Sequence, residues 1–173
     1  CTHHINRSYT SIVVVKSSDK GRTWSERERI VEVEKADYFW NCSRIVQLRD
    51  GRLVLIVDKI YGNENSNRYD ICLWYSDDDG ETWEGPSSTC INGFVPDKIL
   101  ELENGELLLC AQNFDNESKG LQVAAWKSYD RGKTWKYESV VAYKKELKLC
   151  EASTVELSDR TLVSIMRENS FQG

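Results

Sequence analysis

No stretch of the sequence approaches the roughly 18 consecutive apolar residues that a membrane-crossing helix needs, so no part of it reads as a membrane span. Positive charge is not in surplus either. The 23 Lys and Arg against 28 Asp and Glu leave a net charge of −5, scattered rather than in runs, and offer no basic face for nucleic acid. Histidine is nearly absent, and the adjacent pair His3-His4, with no partner motif, reads as an exposed tail rather than a metal site. None of the six cysteines falls in a C-x-x-C pair or a zinc spacing, and the sequence as a whole implies neither a metal nor an organic cofactor. Cys72, Cys90, Cys110 and Cys150 lie in or beside strand-like runs, where a buried thiol serves as a small core residue. Reduced cysteines favour the cytoplasm over secretion, and Cys1-Thr2-His3-His4 shows none of the zones of a signal peptide. At 173 residues the chain fits one domain with a core, or part of a larger one.

What is present is one short pattern written three times: Ser17-x-Asp19-x-Gly21-x-Thr23-Trp24, Ser76-x-Asp78-x-Gly80-x-Thr82-Trp83 and Ser128-x-Asp130-x-Gly132-x-Thr134-Trp135. Each copy lies between β-rich apolar runs, so each reads as a hairpin turn. Gly supplies a backbone conformation that a Cβ resists, Asp and Ser hydrogen-bond nearby N–H groups, and Trp begins the return strand. Repetition at roughly fifty to sixty residues marks a repeat architecture.

A second hairpin alternates with the first. Ser43 to Leu48 turns through Arg49-Asp50-Gly51 into Leu53 to Val57, and Leu102-Glu103-Asn104-Gly105 and Leu157-Ser158-Asp159-Arg160 stand at the same place in the next two units. The unit is therefore four antiparallel strands, the composition of a β-propeller blade. The predicted divisions are an outer hairpin over 8–33, full blades over 41–92 and 93–143, and an inner hairpin over 148–169. The ends are the outer half of one blade and the inner half of another. Either the chain is part of a larger closed ring, or two copies, three blade-equivalents each, close a six-bladed ring as a homodimer, each completing the other's open blade.

Five residues beyond Leu53, Leu107 and Leu162 come Asp58, Gln112 and Arg167, which should share one rim. The starts of the first inner strands should bring Asn41, Asp97 and Glu151 to the same rim, a polar cluster suited to a sugar. Asp77-Asp78-Asp79-Gly80 superficially matches a calcium loop but lacks the closing glutamate. Asn41-Cys42-Ser43 and Asn116-Glu117-Ser118 match the glycosylation acceptor.

The repeated turn is similar to the Asp-box, and over nearly its whole length the chain resembles the sialidase (neuraminidase) family and its Asp-box propeller relatives. The resemblance implies an all-β, six-bladed propeller and makes Asp19, Asp78 and Asp130, with their glycines and tryptophans, structural rather than catalytic. It is sharpest at Cys150-Glu151-Ala152-Ser153-Thr154 with Ile165-Met166-Arg167, which looks like the fourth-blade segment. By that likeness Arg167 is one of three arginines gripping a sialic acid carboxylate, and Glu151 draws the proton from a tyrosine nucleophile; the alternative is a Glu151–Arg167 ion pair that only steadies the rim. Asp58, Asp97 and Gln112 are expected to touch the substrate. The other arginines, the acidic aspartate and the tyrosine match nothing here. The implied activity is exo-sialidase-like hydrolysis of terminal sialic acid or a related acidic sugar. The alternative is a non-catalytic propeller that binds glycans or a protein partner.

Overall fold

The computed structural model describes residues 10–33, 37–62, 68–115 and 120–170, all strand or loop with no helix among them. His3-His4 and the acceptor triplet at Asn116 lie outside these residues. Among the described residues twelve strands form four antiparallel sheets. The first pairs β1 (Thr10–Val14) with β2 (Glu28–Val33). The second runs β3 (Tyr38–Gln47), β4 (Leu53–Tyr61), β5 (Tyr69–Ser76), β6 (Glu84–Ser88). The third repeats it with β7 (Leu100–Glu101), β8 (Leu107–Phe114), β9 (Leu121–Ser128) and β10 (Lys136–Ala142), and the last pairs β11 (Leu149–Glu156) with β12 (Leu162–Glu168). This is part of a β-propeller.

Strands β4, β5, β8 and β9 are apolar on both faces because the second and third sheets are each covered on two sides. In β4 and β5, Val54, Ile56, Ile71 and Leu73 pack with Leu107, Leu109 and Trp126 of the next blade. Their neighbours Leu55, Val57, Cys72 and Trp74 point the other way, onto Ile12 and Trp40. The third blade repeats the alternation, with Leu108, Cys110 and Val123 meeting Ala152 of β11. At 0 % exposure, Ile56 and Leu109 each contribute about 1.5–3 kcal/mol of burial. Trp74 and Trp126 pack in these layers. Beyond β11 the layering stops, and Ile165 is 71 % exposed beside exposed Val155 and Val163.

Each Asp-box closes its turn with the same bonds. Asp Oδ1 accepts the Ser hydroxyl and the Thr backbone N–H, at 2.8 and 2.9 Å in the first two boxes and 2.9 and 2.8 Å in the third. Asp Oδ2 takes the Thr hydroxyl, and the Ser Oγ accepts the Gly N–H at 2.8 Å in all three. The glycines need this backbone, with φ of 84° at Gly21 and Gly80 and 89° at Gly132. The Thr hydrogen bonds are the main reason that all three carboxyls are held down to about 2. Trp83 and Trp135 donate their indole N–H to the box glycine carbonyl, whereas Trp24 is 62 % exposed. Asp77 is fully engaged by Arg52 through two bonds, at 2.7 and 2.8 Å. No group of three or more metal-ligating side chains occurs among the described residues. The described cysteines are free thiols; Cys72, Cys110 and Cys150 are buried, but Cys90 is exposed, on a left-handed residue after β6 rather than in a strand.

Candidate functional site

Register places the site. Leu53 pairs with Ser76 while Asp58 pairs with Ile71, so the inner turns and the Asp-boxes share one end of the sheet and Asp58 lies toward the other. Gln112 and Arg167 occupy the same place, since Asp58, Gln112 and Arg167 pair with Asn41, Phe94 and Cys150. Each partner is followed by a residue of positive φ: Cys42 at 39°, Val95 at 46° and Glu151 at 54°. In β3 and β11 the register slips here, between Asn41 and Arg44 and between Cys150 and Ser153. In the third blade Pro96, which has no N–H, follows the kink and leaves only the two-residue β7 beyond it.

The equivalent residues are thus Cys42, Val95 and Glu151, not Asn41, Asp97 and Glu151. The bulge adds a residue that linear counting does not see. The expected open polar rim is also corrected. Asp58, Gln112 and Asp97 are 0, 4 and 8 % exposed, because each is spent on the blade that follows. Asp58 Oδ2 accepts the N–H of Val95 and the Asn41 side-chain amide, both at 3.1 Å, while its Oδ1 is buried with no partner among the described residues. Desolvation pushes the Asp58 carboxyl up. Gln112 Oε1 accepts the Glu151 N–H at 3.2 Å, and Asp97 Oδ2 accepts the Thr154 N–H at 2.7 Å. Asn41, which matches a glycosylation acceptor, has its amide nitrogen committed to Asp58.

Glu151 and Arg167 do meet. The guanidinium grips the carboxylate through two bonds, Nε to Oε2 at 2.8 Å and Nη2 to Oε1 at 2.5 Å. Both side chains are about half exposed, at 46 and 54 %. Nη1 of Arg167 and the second N–H of Nη2, the other edge of the guanidinium, make no hydrogen bond among the described residues and keep the geometry for a second carboxylate.

Next to these lies a feature that the strand-end count passed over. Tyr69, Phe94 and Phe114 form a half-buried ladder, with ring centroids 4.6 Å apart for Tyr69–Phe94 and 5.5 Å for Phe94–Phe114. The signal was available, since Phe114 follows Gln112 by two and so shares its face. Phe94 pairs with Gln112, which sets the ladder beside the polar strand ends.

Known proteins agree with this architecture. A sialidase of Paraclostridium sordellii is 28% identical over 146 residues, covering 75% of this chain and 33% of the relative. A sialidase of Clostridium perfringens is 24% identical over 143 residues, covering 78% and 36%. The chain thus spans about a third of the length of these curated relatives. Among solved structures, a protein of unknown function from Dyadobacter fermentans superposes with a TM-score of 0.75 at 22% identity, covering 97% of this chain and 54% of that one. An α-L-arabinanase of Penicillium chrysogenum complexed with arabinobiose gives 0.61 at 20% identity, covering 76% and 42%. The BNR repeat-like domain model matches residues 10–172, and the chain belongs to that family.

Proposed function

We propose that the full-length protein is a sialidase-like glycoside hydrolase that removes terminal sialic acid or a related acidic sugar from a glycan. The observation that carries the reading is the bidentate Glu151–Arg167 pair at the ends of adjacent inner strands. In this reading the unfilled edge of Arg167 receives the sugar carboxylate. A planar guanidinium offers it two parallel donors and keeps its charge. The other edge aligns Glu151, whose carboxylate accepts a proton from the tyrosine nucleophile that the sialidase resemblance implies. A hydroxyl activated by a nearby base approaches an anionic substrate without the repulsion a carboxylate nucleophile would meet. Asp58, Asp97 and Gln112 act from beneath as supports, since each is buried. The sialidase relatives and the arabinobiose-bound neighbour support a carbohydrate substrate.

The test is hydrolysis of a fluorogenic sialoside by the full-length protein and two variants. Arg167→Ala is expected to lower kcat/KM by about 100- to 1000-fold, the worth of a charged bidentate contact of roughly 3–4 kcal/mol. Glu151→Gln keeps the shape but not the base, and should lower kcat with little change in KM. Unaltered turnover in Arg167→Ala would remove that residue from the site. Sialoside binding without turnover in the unmodified protein would instead select the non-catalytic glycan-binding propeller.

A further inference from the structure

The bulge that carries Glu151 is held from outside its own sheet. Between Cys150 and Ser153 the β11–β12 ladder slips, and Glu151 takes φ 54°, a conformation that costs a non-glycine residue about 1–2 kcal/mol. The N–H of Glu151 goes to Gln112 Oε1 at 3.2 Å, and that of Thr154, just past the bulge, to Asp97 Oδ2 at 2.7 Å. Both supports belong to the preceding blade, and both are nearly inaccessible, at 4 and 8 % exposure. Asp97 is itself steadied by the N–H of Lys98 at 2.8 Å. The device is repeated one blade earlier, where Asp58 holds the N–H of Val95 at φ 46°. There the kinked residue is apolar. In the last blade it is a glutamate facing an arginine.

We propose that Gln112 and Asp97 are positioning residues. By clamping the backbone of 151–154 from the neighbouring blade they hold the Glu151 carboxylate against Arg167, so the geometry of the site depends on the seam between two blades and not on β11 alone. As a statement about catalysis this rests on the sialidase-like reading above; as a statement about geometry it does not. Both supports act through acceptor oxygens on backbone donors, so the chemistry required at position 112 is an acceptor on a side chain of that length. Glutamate meets it and leucine does not.

The experiment compares Gln112→Leu and Gln112→Glu with the unmodified full-length protein, by crystal structure and by sialoside kinetics, after thermal melts establish that each variant is folded. In Gln112→Leu the Glu151 carboxylate should leave Arg167 and kcat should fall about ten- to a hundredfold, with KM changed less than threefold, the signature of misplacement rather than lost binding. Gln112→Glu should restore the pair and most of kcat. Should Gln112→Leu fail to fold, the same comparison with Asp97→Leu and Asp97→Asn decides. A pair left intact in the leucine variant, or lost equally in the acceptor-bearing one, overturns the inference. If the unmodified protein does not cleave sialosides, the catalytic reading falls alone, and the crystallographic comparison still rules on the clamp.

Discussion

Replacing Gly132 by alanine tests how the Asp-boxes join one blade to the next. Gly132 has φ 89°, and a Cβ built there would lie 2.9 Å from the Tyr75 hydroxyl of the preceding blade, which donates to the Gly132 carbonyl at 3.2 Å. Two costs add: about 1–2 kcal/mol for a side chain in left-handed backbone, and about 1 kcal/mol for the displaced hydrogen bond. Gly21 is the internal control. Its φ is 84°, but a Cβ there meets only the Trp24 ring at 3.9 Å, so Gly21→Ala carries the first cost alone. Urea unfolding of the full-length protein should therefore show Gly132→Ala less stable than Gly21→Ala by about 1 kcal/mol. A double-mutant cycle isolates the contact: in a Tyr75→Phe background the hydroxyl is gone, and the two alanines should cost the same to within about 0.5 kcal/mol. Equal costs in the Tyr75 background, or an excess that survives Tyr75→Phe, would refute the claim that this hydrogen bond ties the blades.

Other outcomes follow from the same structure. Arg160 sits at φ 68° in the turn place that Gly51 and Gly105 fill at 95° and 85°, so Arg160→Gly should raise the urea midpoint, by about 0.5–1 kcal/mol of stability. Ile56→Ala empties a fully buried position between two blades and should cost about 2–5 kcal/mol in the same assay, enough to expose whether the blades unfold together. Asp19, Asp78 and Asp130 have carboxyls lowered from 3.8 to about 2, and a depressed folded value means stability that is present above the unfolded value and lost on acidification. The boxes' contribution to thermal stability should accordingly be constant from neutrality down to about pH 4 and be lost between about pH 4 and pH 2; replacing one of the three by asparagine should shallow the fall of the melting temperature over that range, and an unchanged slope would discount the boxes as its source.

The fold was legible in the sequence because its signals are local. A box aspartate, its serine and its threonine lie within seven residues, and the hydrogen bonds among them need nothing from the rest of the chain. The inner hairpins were legible for the same reason, and counting from the turn brought Asp58, Gln112 and Arg167 to equivalent places, since no insertion intervenes along β4, β8 and β12. Counting failed on the other strand. The bulges at Cys42 and Glu151, which residue type does not announce, and the break at Pro96 shift the register, so Asn41 and Asp97 were matched to Glu151 when Cys42 and Val95 are its counterparts. Burial was illegible for a related reason. A polar residue at a strand end reads as solvated, yet Asp58, Asp97 and Gln112 are covered because the next blade presents unpaired N–H groups to them, a relation between sheets that no single stretch contains.

The central claim is that the Glu151–Arg167 end of this propeller is built for an anionic sugar, and the most direct measurement is the rate at which the full-length protein cleaves a terminal sialoside compared with an uncharged α-L-arabinoside. The account predicts cleavage of the sialoside, at least about a hundredfold preferred in kcat/KM because only the charged sugar engages Arg167. Cleavage of the arabinoside with no sialoside turnover would contradict it.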